Sequence, residues 1–298
     1  MDALPQRVAG RHSQLFTALV LVGSFALLYW RVLARLVHDW INDGNYSHGF
    51  LIVPLSLYFV WERRARLRAV PRQPSAFGLV VVIGSLAVLL AGLMGAELFL
   101  TRLSIVGVIA GSILFLFGWR TLRLLTLPVL FLLLMIPIPA IILNQVTFPL
   151  QLLASQVGEA SLRGLNVPVL REGNVIVLAN VSLEVAEACS GIRSLISLLT
   201  LGIVYGYFAD SRFSVRFVVA LLTIPIAIAS NGLRVAGTGI AAHYWGPQAA
   251  EGFFHTFSGW LMFVVAFCML FVVTQLIIRI VPRPSRGVLP ESIIAVRS

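Results

Sequence analysis

Apolar residues come in blocks along this chain. The blocks cover about 15–33, 50–61, 76–94, 98–117, 124–136, 189–208, 217–233 and 257–280, with short polar stretches between them. Runs approaching 20 residues are what a helix needs to cross a hydrocarbon layer about 30 Å thick. In such a layer only helices and closed barrels satisfy their own backbone groups. The pattern predicts an all-α polytopic membrane protein of about eight transmembrane helices, forming a single domain over 1–298. The first block is too long for the apolar core of a cleaved signal peptide, and no small-residue cleavage site follows it.

The stretch 140–187 departs from this pattern. Pro137-Ile138-Pro139 stops the fifth block. Positions 140–165 are apolar but carry Asn144, Gln145, Gln151, Gln156 and Glu159. That mixture suits a helix at the outer interface, or a re-entrant piece, better than a span. Glu172-Gly173-Asn174 and then Val175 to Val185 read as one or two short strands with a turn near Ala179-Asn180. A small extracytoplasmic β-hairpin is therefore expected just before Cys189.

Composition agrees with the membrane reading. Of 298 residues, 59% are hydrophobic and only 11% are charged, where a soluble domain carries about 25% charged residues. The net charge of +10 comes from arginines, with no lysine present. In a membrane protein such charge marks cytoplasmic loops facing anionic lipid, so no nucleic-acid partner is implied. The clusters Arg63 to Arg72, Arg120 and Arg123, Arg212 and Arg216, and Arg279 to Arg286 all fall on one side if the N-terminus is cytoplasmic. His38 to Gly49 then forms an outer loop. The two cysteines, Cys189 and Cys268, form no paired redox or zinc motif. No metal and no cofactor is expected.

Chemistry-bearing residues gather on the outer side. Cys189 lies at the N-terminal end of its block, where unsatisfied backbone N–H groups and the helix dipole favour an anion. A thiol there, with Arg193 about one turn further on, is biased towards thiolate. The plainer reading is a buried packing cysteine. Ser190 and Gly191 are small and admit another backbone. Arg234 falls at the outer end of the next block, and His255 at the outer start of the last. Ionisable residues at the edge of apolar segments are costly and usually functional. The three supply a nucleophile, an oxyanion donor and a proton carrier respectively. Arginine stays protonated and does not serve as a base.

The ordered pieces Ala188-Cys189-Ser190-Gly191-Ile192, Ser230-Asn231-Gly232-Leu233-Arg234 and His255-Thr256-Phe257-Ser258-Gly259 resemble those of an exosortase. Tyr46-Ser47-His48-Gly49-Phe50 and Trp61-Glu62-Arg63-Arg64 add to the likeness. The exosortase/archaeosortase family comprises membrane-embedded cysteine transpeptidases. The resemblance implies that Cys189, Arg234 and His255 are catalytic and that Cys189 forms an acyl-thioester. It casts the arginine as proton donor and the histidine as transition-state stabiliser, the reverse of the roles read from the residues. It also implies substrates: exported proteins ending in a Pro-Glu-Pro-type signal, a membrane helix and a basic cluster. The implied location is the bacterial inner membrane, with the site facing outward and a link to exopolysaccharide production. The C-terminal domain that some relatives carry is not expected here.

Supporting roles divide two ways. His48 either contacts substrate or shapes the outer loop. Glu187 either orients Arg234 or His255, or is a solvated carboxylate. Asn231 either binds the substrate backbone or caps local structure, and Arg193 either joins the site or snorkels to the interface. Cys268, in mid-helix, is expected to pack. A transporter or flippase associated with exopolysaccharide export remains an alternative function, and would show paired halves and midplane charges. A serine protease of the rhomboid kind fits Ser190-Gly191 poorly. A membrane oxidoreductase is disfavoured by the lack of a cysteine pair.

Overall fold

The computed structural model describes residues 4–179, 181–185, 192–246 and 253–281, with side chains from position 19 onward except at 253–256 and 258. The chain divides into two compact units, residues 1–144 and 145–298.

The first unit begins with α1 (Leu4–Asn42), which continues well past the apolar block that predicts it. Tyr29, Val32, Leu36 and Trp40 recur at helical spacing and are buried. That stripe carries the helix through Asp39, in place of the outer loop expected from position 38. Asn42-Asp43-Gly44 ends it, and Asp43 Oδ1 accepts the Asn45 N–H at 2.8 Å, a turn typical of aspartate. Next come α2 (Gly49–Glu62), α3 (Arg64–Ala69), α4 (Phe77–Met94), α5 (Leu98–Phe117), α6 (Trp119–Leu124) and α7 (Thr126–Phe131), then a 3-10 turn at Leu132–Met135.

Close approach of backbones makes the α4–α5 hairpin. A Cβ at Gly111 would lie 2.9 Å from the Val82 nitrogen, and one at Gly92 equally close to the Thr101 nitrogen. Small residues let membrane helices pack in this way without a hydrophobic driving force. Gly118 ends α5 at φ +86°, and a side chain there would run into the Gln73 carbonyl. Only glycine meets both demands.

The Tyr46-Ser47-His48-Gly49 segment is stapled to the end of the 3-10 turn. Tyr46 Oη accepts the Ile138 N–H at 3.1 Å, and His48 Nε2–H donates to the Leu134 carbonyl at 3.1 Å. Trp40 Nε1–H donates to the Met135 carbonyl at 2.9 Å, and its indole lies directly against Gly49.

Helix α8 (Ala140–Gly164) leads into the second unit. A three-stranded antiparallel meander follows: β1 (Val169–Glu172), β2 (Val175–Leu178) and β3 (Ser182–Glu184). The expected hairpin thus has one strand more. Glu172 faces Val175 across the Gly173-Asn174 turn, and Val177 faces Ser182. On β2, Ile176 and Leu178 are buried with Ala154 and Leu162 of α8. Then come α9 (Ile192–Ala209), α10 (Phe213–Trp245) and α11 (Phe253–Ile280). At the α9–α10 turn Arg212 Nη2 meets Asp210 Oδ2 at 2.8 Å, and Arg216 stacks over Tyr207.

Seven helices among the described residues are long and apolar enough to span a bilayer. The blocks at 50–61 and 124–136 correspond to shorter apolar helices. Positions 140–164, read from sequence as interfacial, form a 25-residue helix of mean hydropathy 1.2, the lowest of the seven.

Candidate functional site

The site is built on α9, α10 and α11. Glycines set the register between the first two. A Cβ at Gly202 would strike Thr223, and one at Gly206 would lie 3.4 Å from Val219 Cγ1. Each step back along α9 is thus matched by a step forward along α10. Extending that register to the start of α9 brings Ile192 level with Leu233, next to Arg234. The α10–α11 contact is fixed at the same height. Ser230 Oγ–H donates to the Met262 carbonyl at 2.8 Å. One turn on, the Arg234 guanidinium carbon lies 3.6 Å from where a Gly259 side chain would begin.

The helix does not end with the apolar block at position 233. α10 continues to Trp245. Tertiary packing holds it there: Gly232 receives Val157 of α8, Gly239 receives Leu162, and Gly158 of α8 lies against Val235 and Ile176. Arg234 is 21 residues beyond Phe213, a rise of about 31 Å at 1.5 Å per residue. That is roughly one hydrocarbon thickness. Arg234, expected at a helix end, is set in the interior of a 33-residue helix.

Arg234 is 9% exposed and Asn231 4%. A buried guanidinium keeps its proton, so it brings a fixed positive charge into a region of low dielectric. In such a place a hydrogen-bond donor acts on a developing oxyanion far more strongly than in water. Position 255 lies one turn before Gly259 on α11, about 6 Å along the axis and on the same helical stripe. The His255 side chain lies outside the described residues.

Cys189, Glu187 and Ser190 also lie outside the described residues, in the segment between Val185 and Ile192. What is described is the ground on either side. Val185 is buried and donates its N–H to the Asn174 carbonyl at 2.9 Å, anchoring the end of the sheet. Ile192 is buried at the start of α9. Arg193 is exposed in the first turn of α9. His48 belongs to the first unit, where burial pushes its pKa down against the opposing pull of the Leu134 and Asn45 carbonyls. Cys268, expected to pack, is exposed on α11.

One group escaped the sequence reading. Arg102, inside the block 98–117, is 2% exposed and paired through Nη2 with Asp39 Oδ2. The signal was present, since an arginine inside an apolar block is costly unless it serves something.

Residues 40–272, well over half of the chain, match the family model described as transmembrane exosortase. No curated protein and no solved structure matches the chain. The family match runs from Trp40 in α1 through the sheet and into α11, and it takes in positions 189, 234 and 255. A multi-pass helical chain matched over that span belongs to the transmembrane exosortase family.

Proposed function

We propose that the protein is a membrane cysteine protease and transpeptidase that cleaves C-terminal Pro-Glu-Pro-type sorting signals of exported proteins. It acts at the outer face of the bacterial inner membrane. The observation that carries the reading is Arg234: a permanent cation, buried, level with the start of α9 and one turn from position 255 on α11.

The chemistry follows from the residue types. The Cys189 thiolate attacks the scissile carbonyl carbon, and a carbon–sulfur bond forms as the carbonyl electrons move to oxygen. Arg234 donates to that oxyanion. The intermediate collapses, the C–N bond breaks, and the leaving amine takes a proton from His255. The substrate is then a thioester on Cys189. Water attacking the thioester releases the protein, and an amine transfers it. In either case the nucleophile gives its proton to His255 and Cys189 leaves as thiolate.

The test is Cys189→Ser in the full-length protein in its membrane. Serine is nearly isosteric but far less ionised near neutral pH. Processing of a tailed reporter should stop while the protein accumulates normally, and Cys268→Ser should process as wild type. Full processing by Cys189→Ser would eliminate the thioester.

A further inference from the structure

The first unit holds a second cluster of charged side chains. A cavity of about 460 Å³ lies between α1, the end of α4 and the start of α5. Arg31, Arg35, Arg102 and Glu97 line it, with apolar wall from Trp30 and Leu93. Arg102 is almost wholly buried, and while its Nη2 engages Asp39, its Nε is buried with no hydrogen-bond partner. Glu97 Oε2 is also buried without a partner. Leaving a buried polar atom unmatched is costly, more so for a charged group. Two opposite charges share this cavity, yet neither satisfies the other's unmatched atom. An occupant with an anion for the arginines and a donor for Glu97 matches both once these two side chains turn towards it.

We propose that this cavity binds the headgroup of an aminophospholipid, its phosphodiester on Arg102, Arg31 and Arg35 and its ammonium on Glu97. Three arginines against one glutamate on the wall favour a phosphate as the anchoring group, since guanidinium forks match phosphate geometry. Asp39 offsets part of that charge through Arg102. The setting favours a lipid over a soluble ligand. The cavity lies between membrane helices, Arg31 and Arg35 are exposed in the later part of the candidate span Leu19–Asn42, and exposed Trp30 and Leu93 offer apolar surface for the chains. None of the residues proposed for peptide cleavage takes part, so this inference stands or falls apart from that function.

The test uses the full-length protein in detergent, titrated with phosphatidylethanolamine and read by native mass spectrometry. Phosphatidylethanolamine should bind about tenfold or more tightly than phosphatidylcholine, whose quaternary ammonium has no N–H for Glu97. The double variant Arg31→Gln/Arg35→Gln should lose about tenfold in affinity. Glu97→Gln should narrow the preference for the ethanolamine lipid over phosphatidylglycerol. Equal binding of the ethanolamine and choline lipids would overturn the proposal, as would an unchanged affinity in the folded double variant. If that variant does not fold, the wild-type selectivity and Glu97→Gln decide. Equal competition by chain-free glycerophosphoethanolamine would rule out a lipid, and one-for-one displacement by a glutamate-bearing peptide would assign the cavity to a peptide carboxylate.

Discussion

Gly259 offers a way to move Arg234 without changing it. A Cβ at this position meets the guanidinium carbon at 3.6 Å, an ordinary van der Waals contact. Gly259→Ala therefore displaces nothing, and helix propensity adds up to about 1 kcal/mol of stability. Gly259→Leu is different. Long side chains on a helix lean back towards its N-terminus, here over the turn that bears position 255. A Cγ about 1.5 Å beyond Cβ, directed at the guanidinium, comes within about 2 Å of it, where carbon contacts are stable near 3.5–4.0 Å. The guanidinium must then retreat by more than about 1 Å. A displacement of that size in a positioned catalytic group costs about 10²-fold in rate. The assay is the initial rate of reporter cleavage in membranes, normalised to enzyme abundance by immunoblot. Alanine near wild type and leucine down by about 10²-fold is the expected pair. Wild-type cleavage by Gly259→Leu, at normal abundance, would refute the idea that the position of Arg234 matters.

The remaining predictions concern the same site, the topology and the outer loop. Arg234→Lys should lose most activity, because lysine keeps the charge and loses the planar fork; His255→Ala should slow cleavage by about 10²-fold, and a wild-type rate in that variant would remove His255 as the proton carrier. Cysteine introduced at positions 44 and 172 should label from outside, and at 68 and 211 only from inside; labelling of 44 and 68 from one side overturns the orientation. Burial lowers the His48 pKa, so below about 6.5 the unfolded chain takes up a proton that the folded one refuses. Stability should therefore fall as pH drops from about 6.5 towards the depressed folded value, and a thermal melt of His48→Gln should show a weaker acid dependence.

The apolar blocks make most of the helices legible, because a bilayer leaves few alternatives to them. What escaped depends on partners distant in sequence. The last turns of α1 look like a polar loop, but Asp39 is matched by Arg102, 63 residues away, and Trp40 by the Met135 carbonyl. No local period links those positions. Ser230-Asn231-Gly232 are residues that disfavour helix interiors. Here Gly232 makes room for Val157 and Ser230 bonds the Met262 carbonyl, so packing overrides propensity. The third strand follows from the turn at Ala179, which the sequence did signal. The strand that the sequence hid is β1, because Val169 and Leu170 look like the tail of an apolar run.

The setting of Arg234 also gives a reason for the glycines spread along the helices of the second unit. A guanidinium is too large and too polar to be placed between helices packed at their closest. Gly202 and Gly206 draw α9 against α10, which leaves the start of α9 level with Arg234. Gly232 and Gly239 admit α8 on another side. Among the described glycines, Gly259 faces the guanidinium, and there the absent side chain leaves room for charge in place of contact. Shielded from water, that charge acts through a lower dielectric than it would at an open surface. On the proposed function, a substrate helix leaving the bilayer would present its extracytoplasmic flank to this charge. The scissile bond would then need no passage into the membrane, and the charge none out into water.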